Sequence, residues 1–275
     1  MENEVKTVLR KYGIKPSRRR GQNFLLNPQI IRREVDYAEV TEKDIVLDIG
    51  AGLGWLTRAL AERAKLVYAI ESDRRLVLFL RDYLSSFKNV EVIHADFLEL
   101  DLPEFNKIVS NPPYSISAPL IFKIAPLRFE KAVLTLQLEF ARRLVASPGS
   151  KDYGRLSVSA QTYLNVEILE IVDRKNFYPP PKVNSAIVLL TPKPVAIDDP
   201  LFSEVSRYLF TMPNRKVKHS LAILLEHAGF SKSCALSVAE KSPFSEKRPR
   251  VLTPEEIKEL TSWVRRVVYE GKEDR

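Results

Sequence analysis

The chain has 275 residues, enough to bury a substantial core either as one large domain with an appendage or as two modest domains. A hydrophobic share of 45% with 28% charged residues describes a globular protein, and no apolar run approaches the roughly 18–20 residues of a membrane span, which excludes a helical membrane protein. The net charge of +8 suggests a polyanionic partner or simply a positive surface. A lone cysteine, Cys234, excludes an internal disulfide and a Cys-based zinc site, and three scattered histidines offer no ligand cluster, so no metal is expected. The opening stretch MENEVKTVLRKYG has no apolar centre of the kind a signal peptide needs, so a cytoplasmic protein is expected.

The first basic run is KPSRRRGQ, with Arg18, Arg19 and Arg20. A second, NRKVKH, holds Arg215, Lys216 and Lys218, and a third is EKRPR. Each run alone is compatible with a solvated face; three of them far apart in sequence, two beside Pro or Gly, suit a surface that tracks phosphates. From about residue 44 to 138 short β-rich runs alternate with helical periodicity: DIVLDIG, a helix over 55–64, LVYAIE, a helix over 74–86, then VEVIHAD, KIVSN and KAVLTLQLEF. Such alternation predicts a parallel sheet wound with helices. NVEILEIVDRKNF and VNSAIVLLTP predict two further strands, separated by YPPPK, that close the sheet as an antiparallel pair. Beyond the Pro-rich TPKPVAIDDP only helical patterns follow, the last with Thr253 as N-cap and Pro254 at the first helical position. The expected domains are therefore residues 1–191 and a small helical domain over 192–275.

The first predicted strand runs into DIGAGLGWLT, with glycines at 50, 52 and 54. These permit a tight turn with close backbone approach to a ligand, and they equally permit a bare strand-to-helix turn. The dinucleotide fingerprint G-x-G-x-x-G requires glycine at 55, where this chain has Trp55, so nicotinamide binding is disfavoured. The second strand ends at Glu71, where an acid can take both hydroxyls of a ribose, and the third at Asp96. The fourth leaves through NPPYSIS. Proline fixes φ and pushes the preceding residue out of helical space, so Asn111 and Pro112 are expected to be extended and stiff.

The order G-x-G-x-G, Glu, Asp, Asn-Pro resembles S-adenosylmethionine-dependent methyltransferases, and N-P-P-Y resembles the signature of enzymes that methylate exocyclic amines of nucleobases. For such chemistry the amide oxygen of Asn111 and the carbonyl of Pro112 would accept the two N6 hydrogens of adenine and localise its lone pair toward the methyl group. Tyr114 would stack on the base, a contact worth about 1–3 kcal/mol.

With GQNFLLNP before the sheet, ADFL at 95–98, YGRLSV at 153–158 and FYPPPKV after it, the chain from about residue 10 to 260 resembles the ribosomal RNA small-subunit adenine dimethyltransferase family of the KsgA type. The resemblance implies a Rossmann-like class I methyltransferase sheet with a C-terminal helical domain that recognises RNA. It also implies S-adenosyl-L-methionine as cofactor, and dimethylation of two adjacent adenines near the 3′ end of small-subunit rRNA in an immature subunit, by a protein expected to be a monomer. Carried over by motif, Asn23, Leu25, Gly50, Glu71, Asp96 and Asn111 would bind the cofactor, and Phe177 would stack on the face of the target base opposite Tyr114. Arg18, Arg19, Arg20, Arg215, Lys216 and Lys218 are assigned to RNA phosphates. Asp48, Ala51 and Pro112 stand where the family usually has Glu, Pro and Leu or Ile. The double proline is commoner in DNA adenine enzymes, whereas QNFL and FYPPPKV belong to the RNA branch. The rival readings are a large-subunit rRNA adenine methyltransferase of the resistance type and an assembly factor with incidental catalysis.

Overall fold

The computed structural model describes residues 2–17, 20–194 and 199–270. Nine strands follow one another as β1 (Phe24–Leu25), β2 (Ile45–Ile49), β3 (Leu66–Glu71), β4 (Val90–His94), β5 (Lys107–Ser110), β6 (Lys131–Gln137), β7 (Leu164–Val172), β8 (Phe177–Tyr178) and β9 (Ser185–Pro192). The helices are α1 (Glu2–Lys11), α2 (Pro28–Tyr37), α3 (Trp55–Ala61), α4 (Arg74–Tyr83), α5 (Ser117–Ile124), α6 (Leu138–Leu144), α7 (Arg155–Tyr163), α8 (Pro200–Leu209), α9 (Val217–His227), α10 (Lys232–Glu240) and α11 (Pro254–Arg265).

Seven strands form one sheet in the order β4-β3-β2-β5-β6-β9-β7, with β1 and β8 paired separately. Strands β4, β3, β2, β5 and β6 are parallel, and β9 runs antiparallel to β6. The inner strands β2, β5 and β6 are almost wholly buried, as parallel strands covered on both faces must be. On one face Val46, Val67, Val109, Val133 and Ile187 pack against Ile30, Ile31 and Val35 of α2 and Leu56 and Leu60 of α3. This Rossmann-like order reverses direction between β2 and β5, so a crevice opens beyond their carboxyl ends, at Gly50 and Asn111.

The chain divides into two compact units. The first takes the residues up to Ala141 together with Asn165–Pro192; the second takes Arg142–Leu164 and everything from Lys193 on. The expected boundary at 191/192 put residues 142–164 in the sheet domain; the structure moves them to the helical unit. The reason is local: KAVLTLQLEF is a strand only as far as Gln137, and Leu138 begins a helix. The edge strand β7 then returns the chain to the sheet. Within the second unit α8 packs on α7, α9 and α11, Tyr163 meets Phe202 edge to face, and the Tyr153 hydroxyl donates to the Leu252 carbonyl at 2.6 Å. Thr253 caps α11 as expected, in a reciprocal box with Glu256. Among the described residues no helix is long and apolar enough to cross a membrane.

Candidate active site

The cavity at the switch point is built from three segments distant in sequence. The first is the loop from β2 into α3. Gly50 has φ +76°, and a Cβ on it would lie 2.6 Å from Cδ of Pro113, so only glycine lets the two loops meet. The second is the stretch entering β1. Gly21 has φ +64°, and a Cβ there would fall 2.9 Å from the backbone nitrogens of Tyr114 and Ser115. The GQNF motif thus seats directly on the NPPY loop, and the Ser115 hydroxyl donates to the Arg20 carbonyl at 3.2 Å. The third segment is NPPY itself, where Pro113 is extended at φ −55°, ψ 129°.

Asn23, Leu25, Gly50, Glu71 and Asn111 line one cavity together with Asp48, Trp55 and Pro113. Asp96 lines an adjoining cleft of about 730 Å³ with Gly50, Glu71, Ser72 and Ile116, a volume in the range of small-molecule sites. The six expected cofactor contacts are thus brought to two spaces that share Gly50 and Glu71. Glu71 is buried and has no cation in hydrogen-bond reach among the described residues: the Gly52 N–H donates to Oε2 at 3.0 Å and the Asp73 N–H to Oε1 at 2.8 Å. Burial pushes its carboxyl above the usual range against the pull of these amides. Each oxygen keeps a further lone pair, which suits two ribose hydroxyls. Asp48, also buried, accepts from the Thr57 hydroxyl at 2.6 Å and is pushed up by burial to about 7.

Asn111 leaves β5 with its amide nitrogen donating to Glu34 Oε2 at 3.2 Å, while its Oδ1 is buried with no hydrogen-bond partner. An orphaned buried acceptor beside a cavity is costly unless something arrives to donate to it. The Tyr114 phenol is anchored 2.5 Å from the buried Ser185 hydroxyl, and burial raises it to about 12, so it stays neutral. Glu34 and Thr135, whose hydroxyl donates to Glu34 Oε1, were not among the expected site residues.

One expectation, that on Phe177, needs correction, and the structure adds detail to those on Pro112, Arg20, Lys216 and Lys218. Phe177 is 2% exposed and packs in the core, because β8 pairs with β1 in a register that sets Phe177 opposite Leu25 and turns its ring inward. It therefore offers no free face for stacking. The Pro112 ring is buried and the Pro113 ring lines the cavity, while the role expected of Pro112 is that of its backbone carbonyl. Arg20 lines the same cavity as Asn23 and Glu71 and pairs with Asp73 at 2.7 Å. Lys216 and Lys218 share Glu246 at 2.5 and 2.8 Å, and Lys218 also reaches Glu240 at 3.2 Å; phosphate contact would have to displace these partners. Arg215 is exposed, and Arg18 and Arg19 lie outside the described residues.

The family model for ribosomal RNA adenine dimethylase matches residues 14–260. A probable ribosomal RNA small subunit methyltransferase A of Thermococcus onnurineus is 44% identical over 268 residues, covering 96% of this chain and 98% of the relative. The protein of the same description from Methanopyrus kandleri is 44% identical over 259 residues, covering 92% and 93%. Among solved structures, a dimethyladenosine transferase from Plasmodium falciparum superposes with a TM-score of 0.78 at 30% identity over 89% of this chain and 98% of that one. The 23S rRNA methyltransferase ErmE gives 0.62 at 30% identity, over 87% and 98%. A match through both the sheet and the helical tail, with relatives above 40% identity along nearly their whole length, makes this chain a member of the ribosomal RNA adenine dimethylase family.

Proposed function

We propose that the protein transfers methyl groups from S-adenosyl-L-methionine to N6 of two adjacent adenines near the 3′ end of small-subunit rRNA, giving N6,N6-dimethyladenosine. The observation that carries this reading is the buried, unpartnered Oδ1 of Asn111 beside a cavity lined by Gly50, where only glycine lets the β2–α3 and NPPY loops meet. When bound, the cofactor supplies an electrophilic methyl group whose bonding electrons leave with sulfur. Glu71 holds the ribose hydroxyls, Asp96 accepts from the cofactor's adenine amine, and Asn23, Leu25 and Gly50 enclose the methionine portion.

Asn111 Oδ1 accepts one N6–H of the target and draws the nitrogen lone pair out of the ring and toward the methyl carbon. The Pro112 carbonyl takes the second hydrogen before the first transfer. After it, one N–H remains, so a single acceptor orients the second. Tyr114, fixed through Ser185, supplies a face for the base. Phe177 serves as the buried anchor that holds β8 against β1 and so shapes the wall that carries Asn23 and Leu25. The methylated nitrogen loses its proton to water without a dedicated base.

The small-subunit target is favoured by relatives of that description along the whole chain, and by the better superposition of the dimethyladenosine transferase than of ErmE. The protein would act as a monomer on immature small subunits in the cytoplasm, with a role in their biogenesis. Arg215 and its basic neighbours would add a salt-dependent contact to phosphate. The test is mass spectrometry of rRNA after incubating unmethylated small subunits with the protein and cofactor. Two adjacent dimethyladenosines near the 3′ end are expected. Methyl groups confined to large-subunit RNA or to DNA overturn the reading, and tight subunit binding with no methylation favours an assembly factor.

A further inference from the structure

Helix α2 buries Ile30, Ile31, Glu34 and Val35, so an acid occupies a position on its apolar stripe where a fourth aliphatic side chain belongs. Glu34 is 1% exposed and has no cation within salt-bridge reach among the described residues. The neighbouring Arg33 is committed to Glu170 through two bonds of 2.7 and 2.8 Å. Its own partners are the Thr135 hydroxyl on Oε1 and the Asn111 amide nitrogen on Oε2. For packing alone this is a poor choice, because an apolar residue of the same volume would avoid burying an ionisable group.

The side-chain amide of Asn111 can lie in two orientations that exchange its oxygen and nitrogen. In one it presents an acceptor to an incoming amine; in the other it presents a donor, which repels the N–H it should bind. The bond to Glu34 selects the first. With Nδ2 donating to Oε2, the oxygen on the other arm of the amide is the buried, unpartnered Oδ1. Building on the reading of Asn111 as the acceptor for the target amine, we propose that Glu34 is a positioning residue for methyl transfer. It fixes the Asn111 amide so that Oδ1 is offered to the target nitrogen.

The assignment holds for either charge state of Glu34. Burial, aided by the negative Asp48 and Glu170, pushes its carboxyl up to about 8 against the bonds from Thr135 and Asn111. The nearby Tyr114 phenol is neutral, and Arg33 is spent on Glu170. A neutral Glu34 can place its proton on Oε1, shared with the Thr135 oxygen, and keep Oε2 as a carbonyl acceptor. An ionised Glu34 accepts at both oxygens. Either way Nδ2 of Asn111 meets an acceptor, so the amide orientation survives the titration.

The test is single-turnover methyl transfer to unmethylated small subunits by the full chain and its Glu34→Leu, Glu34→Gln, Asn111→Ala and doubly substituted Glu34→Leu/Asn111→Ala variants, with cofactor affinity measured alongside. Glu34→Leu is expected to slow transfer roughly tenfold to a hundredfold, the usual effect of losing a group that orients a reacting one, with cofactor affinity changed less than about threefold. Glu34→Gln can turn its carbonyl to Asn111 and its amide to Thr135, and it is expected to recover most of that loss. In the Asn111→Ala background, Glu34→Leu should have no further effect, because the amide it orients is gone. Glu34→Met, equally apolar but more adaptable, replaces Glu34→Leu if the latter is poorly folded. A Glu34→Leu rate within threefold of wild type, or a loss of the same factor in both backgrounds, overturns this inference alone. A wild-type protein that methylates no adenine amine overturns it together with the reading it builds on.

Discussion

The two ends of the central sheet treat buried acids in opposite ways. At the end where β2 and β5 begin, Asp44 is 4% exposed and meets Lys107 at 2.9 Å, Asn106 at 2.7 Å and the Thr41 amide at 2.7 Å. Burial alone would push Asp44 up, but these partners hold it down at about 2. At the other end Glu34, Asp48 and Glu71 are equally buried, bond only to neutral donors, and are all raised. A buried ion pair closes its own account within the fold. A group of buried acids with no cation beside it among the described residues is instead pushed toward its protonated forms, an arrangement more often found at ligand sites than in cores.

The contrast is sharpest if each end is broken separately. Asn111→Ala should slow single-turnover transfer by about 10²–10³, the cost typical of a lost oriented hydrogen-bond partner at a reacting centre, with thermal stability nearly unchanged. A slowed rate matched by an equal loss of cofactor affinity would count against that division of labour. Lys107→Met does the reverse. It leaves Asp44 buried without its charge partner and should cost about 3 kcal/mol or more in denaturant unfolding, while the rate per folded molecule is retained.

Gly50→Ala tests whether the glycine cradle belongs to the upper end. At φ +76° and 2.6 Å from Pro113 the new methyl group must displace the NPPY loop, so cofactor affinity by calorimetry should fall about tenfold or more, with about 1–2 kcal/mol of stability lost. The smallest effect is on pH dependence. Glu34 stands at about 8 in the fold against 4.5 for an ordinary glutamate, so the folded protein holds a proton that the unfolded chain releases. The stability this confers is complete below 4.5 and is lost as pH rises through 8. The melting temperature of the wild type should therefore drop relative to Glu34→Gln as pH rises from 5 to 8. Asp44 has the opposite sign: its contribution is present above about 3.8 and fades as pH falls through 2. A wild type and Glu34→Gln with parallel profiles would show that Glu34 is ionised in the fold.

What could be read from the sequence follows from how local each signal is. Gly50, Glu71, Asp96 and Asn111 announce themselves because strand, turn and functional residue lie within a few positions, and parallel order alone then carries them to one sheet edge. Glu34 is silent for the opposite reason: it sits inside a regular helical pattern, and its partners Asn111 and Thr135 are 77 and 101 residues away. The inward turn of Phe177 could not be foreseen, since a two-residue strand has no alternation to read and its facing is set by the register with β1. The pairing of Lys218 depends on acids 22 residues or more downstream, which a run of basic residues does not reveal. The transfer of residues 142–164 to the helical unit turns on the end of a strand at Gln137, inside one continuous apolar stretch.

The pairing of β1 with β8 sets an order of events during synthesis. Phe24 and Leu25 are made about 150 residues before their strand partners, Tyr178 and Phe177. That pair cannot form until those further residues have been translated, even though the glycine turn and Glu71 are made well before it. A nascent chain stalled before residue 177 can have made all of its parallel strands and still lack the β1–β8 pair beside the cavity.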